Sequence, residues 1–293
     1  MRSKFLSLLL LIVLLASTAC TPQATPAAPT TVLATQAPSP TAVPHTQAPA
    51  SSKTLTVLAA ASLTESFTEL GTMFETQNPG VKVSFNFAGS QQLAQQLDQG
   101  AAADVFASAS PKYMTAAVTS KRVNQADAQT FVKNRLVVIF PKANPAGLTA
   151  LKDLAKPGLK IDLEDKSVPA GQYSLDFLDK AVKDPGFDPS FKDNVLKNVV
   201  SYETDVKVVV SKVSLGEADA GIVYITDFNA AKDKLGKMDI PDALNTVAIY
   251  PIAPISDSKN ADLAKAFVAL VLSPDGQAVM AKYGFVPAAG GSE

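Results

Sequence analysis

From Leu55 onward, short apolar runs alternate with amphipathic stretches almost without a break, and this restricts the chain to few architectures. Leu55 to Ala60, Val81 to Ala88, Asp104 to Ala109, Leu136 to Pro141, Leu159 to Leu163, Ala220 to Tyr224 and Val247 to Ile252 have the length and apolar content expected of buried strands. Between them, residues 63–77, 91–99, 111–120, 173–183, 206–215 and 262–272 carry apolar side chains at helical spacing. That order predicts an α/β fold with largely parallel sheets covered on both faces. The runs 136–141 and 247–252 are each associated with Pro and lie between blocks that already hold enough strands for a sheet. They read as two hinge crossover strands. One lobe then comprises residues 53–134 plus 253–293 and the other residues 135–252, with a cleft between them that a ligand can close.

The alternation starts only after a long preamble. Residues 1–19 read as a signal peptide, with Arg2 and Lys4 ahead of the apolar run Leu8 to Leu15 and small residues before Cys20. Cys20 is the chain's single Cys, and its placement resembles a bacterial lipobox, in which the thiol is lipidated and becomes the new N-terminus. The resemblance is incomplete, because Ser17 stands where Leu is usual. The alternative is an ordinary secreted protein with one stray Cys. Residues 20–52 are rich in Pro, Thr, Ala and Gln and contain no Asp, Glu, Lys or Arg. Such a segment buries too little apolar surface to offset its ordering entropy, and it reads as a disordered tether. The single His, His45, lies in it.

Beyond the tether the chain contains no Cys, no His and no Trp. This excludes Ser-His-Asp and Cys-His catalysis, zinc sites built on Cys or His, and disulfides within the body. Charges nearly balance, with 26 Lys and Arg against 27 Asp and Glu, so no strongly basic surface invites nucleic acid. No cofactor and no metal site is expected.

Polar chemistry collects where strands lead into helices. Ser62 follows the first strand, Ser90 opens the segment carrying Leu93 and Leu97, Ala170 and Gly171 precede a helix beginning near Tyr173, and Asp205-Val206 opens another. Helix starts expose unpaired N–H groups and a partial positive charge, so several of them together suit an anion without Lys or Arg. Each serine also has a plain alternative as a helix cap. Tyr224 ends a strand, where it either reaches the cleft or packs at the boundary. The acidic run Asp162-Leu163-Glu164-Asp165 reads as a solvated loop, and Lys121, Arg122, Lys152 and Lys156 as solvated helix ends.

The runs AAASLT at 59–64, ADVFASA at 103–109, VPAGQY at 168–173, GIVYITD at 221–227 and YPIA at 250–253 occur in the order that resembles the substrate-binding proteins of molybdate ABC importers. The resemblance spans residues 55–286. It implies a two-lobe periplasmic-binding-protein-like fold of type II and a non-enzymatic role: capture of molybdate, and of tungstate, and delivery to a membrane permease. Matched motif by motif, the ligand residues fall on Ser62, Ser90, Ala170, Val206 and Tyr224, with Cys20 as lipid anchor holding a monomer at the extracytoplasmic side of the cell membrane. One departure is Gln91-Gln92 after Ser90, where the family commonly has Ser or Gly. A tetrahedral dianion is a pure acceptor and suits a site made of donors, whereas a buried carboxylate would repel it. The alternatives are a binder of another oxyanion such as sulfate, an extracytoplasmic oxyanion sensor, and a hydrolase using Asp162 and Glu164.

Overall fold

The computed structural model describes residues 53–288. The signal peptide, Cys20 and the tether lie outside the described residues.

The first half runs β1 (Lys53–Ala60), α1 (Thr64–Gln77), β2 (Val81–Ala88), α2 (Ser90–Asp98), β3 (Val105–Ala107), α3 (Pro111–Thr119) and β4 (Gln129–Asn134). It continues through β5 (Leu136–Pro141), β6 (Ile161–Glu164), α4 (Pro169–Ala181), α5 (Phe191–Lys197), β7 (Val199–Glu203) and α6 (Val206–Leu215). The remainder is β8 (Ala220–Tyr224), α7 (Ile225–Ala231), β9 (Leu235–Asp239), β10 (Ala248–Pro254), α8 (Ala261–Leu272), α9 (Pro274–Lys282) and β11 (Val286–Pro287).

These strands form two sheets, ordered β11-β4-β10-β3-β1-β2 and β7-β6-β8-β5-β9. The architecture is the two-lobe α/β fold expected. The sheets, however, are mixed and not largely parallel. In the first, β1 pairs parallel with β2 and β3, while β10 and β11 pair antiparallel with their neighbours. In the second, β6 is parallel to β7 and β8, and β5 is antiparallel to β8 and β9. The reason is topological. Strands joined by a crossover helix run parallel, whereas a strand arriving from the other sheet has no helix to bring it back to the same end.

The chain passes between the sheets through Arg135, which alone separates β4 from β5, and returns between Asp239 and Ala248. The two links are tied together. Asn245 Oδ1 accepts the N–H of Leu136 at 3.1 Å, and its Nδ2 donates to the Leu136 carbonyl at 2.8 Å. That buried Asn thus satisfies both backbone groups of Leu136 where no sheet neighbour reaches them.

In the first lobe α1 turns Phe67, Leu70 and Phe74 onto the sheet. The ring of Phe67 lies 5.8 Å from that of Phe131 and 5.9 Å from that of Phe267, and Phe74 meets Phe267 edge-on at 5.4 Å. In the second lobe α6 lays Val206, Val209 and Val213 over β8, and Gly221 is needed there because an added Cβ would come within 2.6 Å of Val209 Cγ1. Both sheets end in a row of strand-to-helix turns, and it is these turns that build the site.

Candidate functional site

The turns after β1 and β2 in the first lobe, and those after β6, β7 and β8 in the second, surround a cavity of about 10 Å³. That is the space of about one water-sized sphere, so the lobes lie closed on each other. Ser62, Ser90, Val206 and Tyr224 all line it.

Neither serine caps a helix. Ser62 sits inside a single 3-10 turn, Ala61–Leu63, whose preceding residue Ala60 makes no side-chain cap. Ser90 is the first residue of α2, and Gly89 holds the cap position. Their hydroxyls are instead held by partners that leave a proton for the cavity. Ser90 Oγ accepts the N–H of Ala109 at 3.0 Å. Ser62 Oγ lies 2.9 Å from the Tyr250 hydroxyl, which in turn receives Asn134 Nδ2 at 3.4 Å. With donation running from Asn134 to Tyr250 to Ser62, the Ser62 proton points onward to the cavity.

On the other side, Asp205 caps α6 by accepting the N–H groups of Lys207 and Val208 at 2.9 and 3.3 Å. Val206 is the first residue of that helix, so its N–H has no helical partner. The Tyr224 hydroxyl is fully buried and has no hydrogen-bond partner among the described residues. Burial above all, with Tyr250 close by, holds its pKa well above the usual range for a phenol, so it is a donor at any physiological pH.

The arrangement departs from the sequence reading at α4. That helix begins at Pro169, not near Tyr173, since Pro at the first position costs no hydrogen bond. Ala170 is therefore already helical, and its N–H does not stand free. It donates to Glu164 Oε2 at 2.8 Å, and Gly171 N–H donates to the same oxygen at 3.1 Å. Val168, Pro169 and Glu164 line the cavity on this side.

Glu164 itself is a correction. The run 162–165 is no solvated loop, because Asp162 and Glu164 lie on β6, which is buried between β7 and β8. A strand in the interior of a sheet covered on both faces has no solvent side for alternate residues. Asp162 points to Glu203 and Lys212 and away from any catalytic partnership, and burial raises its carboxyl to about 7. Arg122 is likewise not a solvated helix end. It donates to the carbonyls of Leu97 and Ala101 at 2.8 Å each.

Tyr250 is a site residue that reasoning from sequence did not single out, and Glu164 was named there only as part of a solvated acidic run or as a hydrolase carboxylate. The YPIA run contained Tyr250, but only the strand register places its hydroxyl beside Ser62. Gln91, the departure noted above, turns across the cleft and donates through Nε2 to the Thr204 carbonyl at 2.9 Å. Among the described residues the cavity wall contains no Lys or Arg, and no group of three or more His, Cys, Asp or Glu side chains could hold a metal ion.

Residues 55–286 match the family described as bacterial extracellular solute-binding protein. The chain belongs to that family. It is 36% identical over 233 residues to the molybdate-binding protein ModA of Mycobacterium tuberculosis, covering 80% of this chain and 84% of the relative. A Bacillus subtilis chain named as an ABC transporter substrate-binding lipoprotein is 33% identical over 234 residues, 79% of this chain and 86% of the relative. Among solved structures, the substrate-binding domain of a Clostridium difficile ABC transporter assigned to molybdenum superposes with a TM-score of 0.60 at 31% identity, covering 80% of this chain and 99% of that one. Membership in this family makes the chain a solute-binding protein and not an enzyme. The fold is that of the type II periplasmic binding proteins.

Proposed function

We propose that the chain captures molybdate, and tungstate with it, between its two lobes and delivers the anion to an ABC importer in the membrane. The observation that carries this reading is the donor set: two serine hydroxyls, the Val206 N–H and an otherwise partnerless Tyr224 hydroxyl converge on one cavity whose wall holds no cation. Neutral donors fixed by the fold suit a fully deprotonated dianion, which accepts and never donates. The names of the relatives point the same way. In this reading the ligand residues are Ser62, Ser90, Ala170, Val206 and Tyr224, with Ala170 sharing its N–H between Glu164 and the anion.

The chain is further proposed to work as a monomeric lipoprotein, anchored through Cys20 on the extracytoplasmic face of the membrane, with residues 20–52 as tether and the hinge at the two interlobe links.

Calorimetric titration with molybdate, tungstate, sulfate and phosphate tests the ligand. Tight binding of the first two and weak binding of the others is expected, and preference for sulfate or phosphate contradicts the reading. Expression with Cys20→Ser tests the anchor: the wild type partitions into detergent with the membrane fraction, and the variant does not. Equal partitioning of both removes the lipoprotein assignment.

A further inference from the structure

Among the described residues the cavity wall holds two acidic side chains, Asp205, which caps α6, and Glu164, which has no cation beside it. Glu164 is 4% exposed. Its Oε2 accepts the N–H groups of Ala170 and Gly171, and among the described residues Oε1 makes no hydrogen bond. The same side chain lines the cavity with Ser62, Ser90, Val206 and Tyr224. An ionised carboxylate and a dianion enclosed together in so small a space repel strongly. A carboxylic acid does the opposite, because its O–H donates.

We propose that Glu164 is a neutral acid when the site is occupied and donates an Oε1–H hydrogen bond to the anion, so that binding one unprotonated oxyanion takes up a proton onto Glu164. The inference rests on the oxyanion reading above and deepens it. The bond formed is O–H at Oε1, the proton comes from solvent or buffer, and nothing is oxidised or reduced.

The surroundings favour the acid form. Burial, and next Asp227 on α7, hold the Glu164 carboxyl well above the usual carboxylate range, with Asp205 at the start of α6 acting in the same sense. The two α4 N–H groups act against this but do not prevail. Tyr224 on β8 faces the cavity as a neutral phenol. Lys207 on α6 is the nearby cation, and it is already held by Glu65 and Asp227. Glu203 on β7 is the register neighbour of Glu164 and is paired with Lys212, and Asp162 lies two residues back along β6. Asp165, next in sequence, is occupied with Ser167.

A proton brought in by the ion and one taken up from solvent lead to the same hydrogen bond at Oε1, so Glu164 sets how many protons enter with the anion.

Calorimetry of the full chain with sodium molybdate, in buffers of differing ionisation enthalpy, counts the protons directly. Close to one proton taken up per anion is expected at a pH where free Glu164 is ionised, with affinity falling by up to about tenfold per pH unit through that range. Glu164→Gln keeps an oxygen for the α4 N–H groups and an N–H for the anion, so it should bind without proton uptake and without that pH dependence. Buffer-independent heats in the wild type across about pH 6 to 9, or undiminished proton uptake in Glu164→Gln, overturn the proposal. If sulfate binds and molybdate does not, the molybdate reading fails, and the same proton count taken with sulfate still decides the part played by Glu164.

Discussion

Lys207 Nζ lies 2.8 Å from Glu65 Oε2 and 3.1 Å from Asp227 Oδ1, so one ammonium ties α1 of the first lobe to a buried carboxylate of the second. Both residues follow closely on ligand-facing ones, Ser62 and Val206, and the pair therefore closes beside the site. Glu65 is partly exposed, and losing it removes only a screened contact worth about 0.5–1 kcal/mol. Losing Lys207 strands Asp227, which is fully buried. Thermal unfolding should show Lys207→Met costing about 3 kcal/mol and Glu65→Gln far less, while both weaken anion binding modestly. Equal destabilisation by the two would deny the buried pair its role.

Tyr224→Phe separates stability from binding. Its hydroxyl has no partner among the described residues, so removing it relieves an unsatisfied buried group of about 1–3 kcal/mol. The melting temperature of the free protein should hold or rise while affinity for the anion falls about tenfold or more, which calorimetry reads directly. A fall in both would mean that the hydroxyl is structural.

Ser62→Ala and Ser90→Ala should each weaken binding by about 1.5–3 kcal/mol, the scale of a hydrogen bond to a charged acceptor. Ser62→Ala also leaves the buried Tyr250 hydroxyl without its 2.9 Å partner, and Ser90→Ala leaves the buried Ala109 N–H without its 3.0 Å acceptor, so each should lower stability measurably. Unchanged affinity in both variants would move the ligand elsewhere.

Gly89 faces the second lobe at close range. An added Cβ would lie 2.3 Å from the Thr204 carbonyl across the cleft. Gly89→Ala should leave each lobe folded, with little change in circular dichroism, but oppose closure and reduce affinity more than about tenfold. Retained affinity would mean that the bound state is more open than the structure.

Asp162 makes stability depend on pH. Its carboxyl is raised to about 7 by burial first and by the neighbouring Glu203 second. A raised carboxyl is neutral in both folded and unfolded states at low pH. As pH climbs from the unfolded value of about 4 through 7 the unfolded chain ionises first, and stability is lost over that window. Asp162→Asn should therefore raise the melting temperature by about 2–6 °C near pH 8 and change it little near pH 4. A gain confined to low pH would reverse the sign and refute the assignment.

Much of this was legible in advance. The alternation of strand and helix disclosed the α/β class, and the turns holding Ser62, Ser90, Ala170 and Val206 stood out because helix starts have unpaired donors, whereas Tyr224 was marked only by its place at a strand end. Other elements left weak marks. β4 (QTFVKN) is too polar to read as a strand, and β7 lies at a sheet edge with Val200 and Tyr202 exposed, so no burial pattern shows. The start of α9 did carry a signal, Ser273 capping and Pro274 following. What no linear reading could supply was partnership across the fold. That Glu164 takes up the Ala170 N–H, or that Tyr250 orients Ser62, depends on which strands lie side by side.

The most direct test is a crystal structure of the protein with molybdate bound. The anion should lie between the lobes, within hydrogen-bonding distance of Ser62, Ser90, Val206 and Tyr224, with no Lys or Arg in contact. An anion seated on a cationic side chain, or bound outside the cleft, would contradict the account.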